Sequence, residues 1–389
     1  MKIGFLSHLD LNLYLFRLPI MQKLIEEGHE VYAICPRGDK FELFKEYGIK
    51  AIEYHIERSS LNPIKELKAI YNIYKAIKPL ELGMIHTFTA KPNIYGTISS
   101  KIAKVPIIIN LVEGLGSFYI EDTIKSIIVR NLIEKLYKFV FSLSHQVIFV
   151  NSDDPDYLEK RGVISKNKIT IIKSVGIDTN EFNPNNISTI EIDKLQEELN
   201  LKNKIVVLMV GRAIWHKGVR EFYEASDILS TYDNVKFILV GDIDDGNHSS
   251  ANRKFLSSGS VLWLGHRDDV LNLTALSDIY VLPSYREGVP RTLLEAISMA
   301  KPIVTTNTVG CREVVNDGEN GFLVPVKNSQ ILADKIELLI KDKELRKVMG
   351  ENGRIRAEKE FDVNQVVNQY LKLYKILEEK SELCKMRSV

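Results

Sequence analysis

Two successive runs of short, continuously apolar segments, separated by stretches with helical spacing, limit this chain more than any other feature of it. The first run reads KIGFLS, EVYAIC, KAIEYH, GMIHTF, PIIINLV, QVIFV and ITIIKS, with helical patterns at 14–27, 40–46, 62–77, 92–103 and 121–143. A strand that is apolar at every position must be covered on both faces, which is the condition of a parallel sheet wrapped by helices. After the turn-rich GIDTNEFNPNNIS the rhythm restarts as KIVVLMVG, VKFILVG, SVLWLG, IYVLPS, PIVTT and GFLVPV, with a helix at 217–230. The pattern predicts two doubly wound α/β domains, 1–183 and 201–360, joined by a linker at 184–200 and followed by a C-terminal helix and tail at 361–389. In that last helix Val366, Val367, Tyr370, Leu373 and Leu377 share one face, so it must dock.

The length of 389 residues exceeds what one hydrophobic core serves, in keeping with two domains. A net charge of +1 argues against a nucleic-acid binder. The cysteines, Cys35, Cys311 and Cys384, are odd in number and lack metal-type spacing. They point to a reducing cytoplasm rather than to a disulfide framework or a zinc site. The apolar run of MKIGFLSHLD is too short for a signal-peptide core or a membrane span.

Open α/β sheets bind ligands beyond the carboxyl ends of their strands, so a cleft between two such domains is the expected seat of the chemistry. The segment YREGVPRTLLEAI follows the strand IYVLPS and carries Glu287 and Glu295. Pro290 and Arg291 read as a helix start, which leaves Glu287 in the loop and Glu295 about one turn inside the helix. A carboxylate can accept two charge-assisted hydrogen bonds from a vicinal diol such as that of ribose, and a helix N-terminus suits a diphosphate. The plainer alternative is that both glutamates only improve the helix start. The loop VGRAIWHKGV supplies Arg212 and Lys217, two cations for a diphosphate that would make a metal ion redundant. Their plainer reading is a solvated pair in an exposed loop.

GRAIWHKG, the two glutamates with seven residues between them, VGCREVV and NDGENGFLV together resemble the family 4 glycosyltransferases, over nearly the whole chain. The resemblance implies a GT-B fold: two Rossmann-like domains facing a cleft, with the C-terminal helix returning to the N-terminal domain. It implies a metal-independent, retaining transfer from a UDP-sugar, with no cofactor. Glu287 would contact the donor sugar, Glu295 the ribose, and Arg212 with Lys217 the diphosphate, while Gly211, Arg267, Gly288, Arg291 and Thr292 would complete the donor site. FLSHLDLNLYLFRLPI, HTFTAKPNIYG and VEGLGSFY are similar to segments of bacterial family members that build glycans on polyprenyl diphosphate, including N-acetylgalactosaminyltransferases acting on undecaprenyl-diphosphate-linked bacillosamine. They make His8, Arg17, His86 and Lys91 candidates for the acceptor side, and a polyprenyl-diphosphate-linked saccharide the expected acceptor.

Two departures from the family stand out. SHLDLNLYLF lacks the glycines that bring backbone N–H groups to a diphosphate, and Glu113 in LVEGLGS stands where many relatives carry His. Glu113 either takes an acceptor proton or holds a hydroxyl, or is a plain loop carboxylate. Asp242, Ile243 and Asp244 spell D-x-D, but in a loop rich in turn residues, so no metal site is expected. His216 stays undecided, and Cys311 reads as an inert small residue.

Between Glu57 and His145 stand 12 Lys or Arg against 7 Asp or Glu. IKSIIVRNLIEKLYKFVFSLSH mixes Ile127, Ile128, Leu132, Leu136, Phe139 and Val140 with Lys125, Arg130, Lys135 and Lys138. Such a helix either covers the first sheet or lies on anionic lipid. With the resemblance, the expectation is a cytoplasmic enzyme held peripherally on the inner face of the membrane. An epimerase on the same fold and a non-catalytic nucleotide-sugar-binding protein are the alternatives.

Overall fold

A computed structural model describes residues 1–57, 62–247 and 249–386. The chain divides into two compact units, Met1–Val175 with Asn364–Val389, and Gly176–Val363.

The first unit holds a parallel sheet of β1 (Lys2–Leu6), β2 (Glu30–Cys35), β3 (Lys50–Glu53), β4 (Met84–Phe88), β5 (Ile107–Val112), β6 (Gln146–Phe149) and β7 (Ile169–Ile171), in the order β3-β2-β1-β4-β5-β6-β7. β4 and β5 are buried at every residue, including the polar His86, Thr87 and Asn110, as central strands of a parallel sheet covered on both faces. Its helices are α1 (Asp10–Phe16), α2 (Leu18–Glu26), α3 (Pro63–Ile77), α4 (Thr97–Ile102), α5 (Ile124–Leu143) and α6 (Asp153–Lys160). Asn62 and Thr123 cap α3 and α5, their side chains accepting from the amides of Ile64 and Ser126.

The single helix expected at 14–27 is broken at Arg17, whose φ of −123° lies outside the helical range. Pro19, in the first turn of α2, starts the next helix without needing a backbone donor. The helix expected at 40–46 is a 3-10 turn, Phe41–Tyr47, and the start of the one expected at 92–103 is a π-helical turn, Pro92–Gly96.

The second unit carries β8 (Ile205–Val210), β9 (Val235–Val240), β10 (Leu262–Trp263), β11 (Ile279–Leu282), β12 (Ile303–Thr306) and β13 (Gly321–Val324), all parallel, in the order β10-β9-β8-β11-β12-β13. Around it stand α7 (Thr189–Glu198), α8 (Val219–Ile228), α9 (Arg253–Leu256), α10 (Val270–Leu276), α11 (Arg291–Ser298), α12 (Cys311–Val314), α13 (Ser329–Lys341) and α14 (Lys343–Arg356). The stretch 184–200, expected as a linker, contains α7, and its Leu195 is buried in the core of this unit.

The C-terminal helix, Val363–Met386, returns to the first unit as expected. Val366, Val367, Tyr370, Tyr374 and Leu377 are buried, and the Tyr374 hydroxyl lies 2.6 Å from Nδ1 of His86 on β4. His86 is fully buried among Phe5, Phe88 and Tyr370. Burial first, and the Arg17 charge second, hold its imidazole well below the usual value of 6.5, so it is neutral in the folded chain. Burial acts in the same direction on His29 and His145. The unfolded chain therefore binds protons below pH 6.5 that the folded chain does not, and stability falls as pH drops through that value. Denaturant unfolding followed by circular dichroism should show this slope between pH 7.5 and about 5.5, and His86→Gln should flatten it.

Candidate functional site

In the second sheet the winding reverses at β8, which has β9 on one side and β11 on the other. The carboxyl edge beside such a reversal is where open α/β sheets bind ligands, and the loops leaving β8 and β11 flank it. These loops are residues 211–218 and 283–290, and they are locked backbone to backbone. The Tyr285 amide donates to the His216 carbonyl at 2.9 Å, and the Glu287 amide to the Val309 carbonyl at 3.0 Å. Gly218, at φ +79°, and Gly310, at φ +82°, allow the contact: a Cβ would stand 2.1 Å from the Pro283 carbonyl oxygen and 2.3 Å from that of Gly288, respectively.

On this frame Lys217 Nζ donates to Glu287 Oε1 at 2.5 Å, and the Ser284 hydroxyl donates to the same oxygen at 2.7 Å. Both charged side chains are mostly buried. The hydrogen bonds to Glu287 from Lys217 and Ser284 both go to Oε1. No side chain caps the first turn of α8 or of α11, so two helix N-termini beside the pair present positive dipole ends. A Cβ on Gly211 would meet nothing within 4 Å.

Glu295 sits one turn into α11 and accepts from Arg291 Nε at 2.9 Å. Burial lifts its carboxyl above the usual range, with Arg291 pulling the other way. Thr292 is half-buried on the same turn. Arg212 lies apart from the Lys217–Glu287 pair: it is half exposed and gives Nη1 to Asp244 at 2.5 Å. Asp244 also accepts from Asn247 Nδ2 at 2.9 Å, and Asp242 accepts from the Ile243 amide, so the D-x-D carboxylates serve the loop. Among the described residues no group of three His, Cys, Asp or Glu could hold a metal ion. Arg267, expected at the donor, is committed elsewhere, forked on Asp269 at 2.8 and 2.6 Å and bonded to Glu198 at 2.8 Å. Burial pushes the Cys311 thiol up to about 12, which keeps it unreactive.

The first sheet reverses at β1, between β2 and β4. His8 and Thr89 bridge the two diverging loops, Nδ1 to Oγ1 at 2.7 Å. At the end of β5, Glu113 accepts from Arg17 Nη2 and, at 3.3 Å, from Asn12 Nδ2. Arg17 was expected to meet the acceptor, yet it is fully buried, its guanidinium 4.6 Å above the Phe88 ring. His86 faces the C-terminal helix, and Lys91 is bound to Glu66 and to the Glu57 carbonyl, both at 2.8 Å. Both are thus held by protein partners. Sequence reasoning missed Asn12 and Ser284; the latter is the second residue after β11, a position that the reversal makes informative.

Residues 191–356 match the family described as glycosyl transferases group 1, and residues 2–151 the one described as glycosyl transferase 4-like. The chain is 41% identical, over 96% of its length and 98% of the relative's, to the N,N'-diacetylbacillosaminyl-diphospho-undecaprenol alpha-1,3-N-acetylgalactosaminyltransferase of Campylobacter jejuni. It is 27% identical, over 90% of each chain, to the UDP-Gal:alpha-D-GlcNAc-diphosphoundecaprenol alpha-1,3-galactosyltransferase of Escherichia coli. Among solved structures, a glycosyltransferase from Rickettsia africae superposes with a TM-score of 0.80 at 23% identity, covering 97% of this chain and 98% of that one. HepE of Anabaena, in complex with UDP-glucose, superposes with a TM-score of 0.78 at 22% identity, covering 96% and 99%. These two likenesses bear on the fold.

The loop packing has a measurable consequence. Gly246→Ala, at φ +83° in open space, should cost only left-handed backbone strain, roughly 1–2 kcal/mol. Gly310→Ala should add overpacking of about 1–3 kcal/mol against the Gly288 carbonyl. Urea unfolding followed by the fluorescence of Trp215 and Trp263, both in the second unit, measures the difference.

Proposed function

The chain belongs to the family 4 glycosyltransferases of the GT-B fold, and on that premise we propose that it moves N-acetylgalactosamine, or a related hexosamine, from a UDP-sugar to a saccharide carried on polyprenyl diphosphate, with retention at the anomeric carbon. The observation that carries this reading is the Lys217–Glu287 pair at the β8/β11 reversal, between two helix starts that no side chain caps. The relatives' named donors and acceptors set the substrate class.

In this reading Lys217 and the helix ends take the diphosphate, whose negative charge grows as the glycosidic bond breaks, and they do so without a metal ion. Arg212 gives Asp244 one of its five N–H groups and turns others to the phosphate oxygens. Glu287 offers Oε2 to the donor sugar, and Glu295 accepts from the ribose diol beside the backbone of Gly211, Gly288 and Thr292. Glu113, held by Asn12 and Arg17, accepts a sugar hydroxyl. Arg267, His86 and Lys91 have structural duties and no part in this scheme.

The same reading places the protein in the cytoplasm, on the inner face of the membrane. No helix among the described residues is long and apolar enough to cross a bilayer. α5 instead buries Ser126, Glu134 and Tyr137 and turns Ile124, Ile127, Ile128, Leu132 and Phe139 to solvent. Lys125, Lys135 and Lys138 flank that apolar face, which suits an anionic lipid surface. Arg130 is occupied with the carbonyls of Phe118 and Glu121 and leaves the lipid-facing set.

Transfer from labelled UDP-N-acetylgalactosamine to an undecaprenyl-diphosphate-linked amino sugar tests the assignment. Product should form in the presence of a chelator, and Lys217→Ala and Arg212→Ala should each lower turnover by about 10²–10³. Full turnover in both variants would remove the diphosphate role.

The two donor-side carboxylates should separate kinetically. Glu295→Ala should raise the donor KM, because the ribose does not react, and Glu287→Ala should lower kcat. Since burial lifts the Glu295 carboxyl, donor affinity should begin to fall on acidification above the range of an ordinary carboxylate. A pH series of donor KM on the parent and on Glu295→Gln reads this directly.

A further inference from the structure

α3 presents a second outward face of the same kind as that of α5. Its buried residues, Ala69, Ile73 and Ile77, define the side that packs on the sheet. Ile64, Leu67 and Tyr71 recur at i, i+3 and i+7 on the opposite side and are 78%, 67% and 61% exposed. A side chain of that size gains nothing from water, and three in one row on a short helix form a stripe rather than scattered singles.

The charges beside the stripe have one sign. Lys68, Lys75 and Lys78 are exposed on the same side of the helix, whereas the single acidic residue of α3, Glu66, turns away to Lys91 at 2.8 Å. α5 repeats the arrangement: its single acidic residue, Glu134, is buried against Arg161 and Tyr157. α4 packs against both α3 and α5, contains no carboxylate, and exposes Ile102 with Lys101, followed by Lys104. The three helices thus make one layer whose outer surface is apolar and basic.

We propose that the α3 face is a second contact with an anionic lipid surface, so that the first unit meets the bilayer through two helices. This rests on the membrane reading of α5 and adds to it. Charge fixes the occupant: a row of apolar side chains among lysines, with every helix carboxylate turned inward, complements lipid headgroups over acyl chains. Two contact lines also restrain rotation about either one. A single amphipathic helix would leave the unit free to roll on the surface.

The test is sedimentation of the full-length enzyme with vesicles of phosphatidylcholine, alone and mixed with phosphatidylglycerol, at low and high salt. Wild type should bind only the anionic vesicles and be released by salt. The combined variants Ile64→Ser, Leu67→Ser, Tyr71→Ser and Lys68→Gln, Lys75→Gln, Lys78→Gln should each bind at least about tenfold more weakly. Their circular-dichroism melting curves should be unchanged, since none of these side chains is packed in the core. If both α3 variants bind as wild type does while Lys125→Gln, Lys135→Gln, Lys138→Gln is released, the α3 proposal is overturned and the α5 reading stands. If wild type ignores anionic vesicles altogether, both fall. If the protein without vesicles sediments as a dimer that the α3 apolar variant disperses, the face binds a second copy and the lipid assignment is wrong.

Discussion

A parallel strand can pair with its successor only if the chain crosses back over the sheet, and that one requirement governs where everything else in this protein lies. Every strand-to-helix loop emerges at the carboxyl edge, and every helix that starts there aims its positive end at the same edge. Where the winding reverses, at β1 and at β8, the loops that leave neighbouring strands run on to opposite faces of the sheet. Lys217 and Glu287 come from sequence positions 70 apart, yet they meet because β8 and β11 are neighbours across a reversal. The enzyme's charged groups sit where the topology leaves room for a ligand.

Burying Lys217 against Glu287 is not an obvious gain in stability, since removing both charges from water costs about as much as their attraction returns. What the pair gains is fixed direction. Ser284 and the backbone of the β8 and β12 loops hold Glu287 in place, and in the proposed reading such a preset carboxylate leaves little reorganisation for the reaction. Asn12 and Arg17 restrain Glu113 in the same manner.

The fold was legible because burial on both faces leaves short, mostly apolar runs, and the strands of the described residues fall on such runs, including the more exposed β3 and β7 at the sheet edges. Lys217 and Glu287 drew attention as charged residues in loops that follow apolar strands, and Glu295 as a carboxylate in the first turns of the helix beyond. What failed to show was anything fixed by distant partners. His86 reads in the sequence as the last residue of the strand GMIH, where a ligand-binding histidine would stand, but β4 runs on to Phe88 and Tyr374, 288 residues on, packs against His86 from the C-terminal helix. Arg17 reads in the sequence as one more cation within the helix expected at 14–27, and only the fold encloses it between Phe88 and Glu113. The faces of α5 could not be oriented either: periodicity finds the apolar side but not what lies against it, and here Ser126 and Glu134 go in while Ile128 stays out.

The return of the C-terminal helix carries a consequence for biosynthesis. The second unit is a contiguous insert, Gly176–Val363, inside a first unit made of two chain segments. Translation delivers residues 1–175 first, but their core lacks Val366, Tyr370 and Tyr374 until the last stretch leaves the ribosome. The second unit has every residue of its own sheet and core before then. Maturation therefore runs against the order of synthesis, with the half made first finished last. A nascent chain stalled or cut short before Tyr370 would carry a complete second unit beside a first sheet with one side of His86 still uncovered.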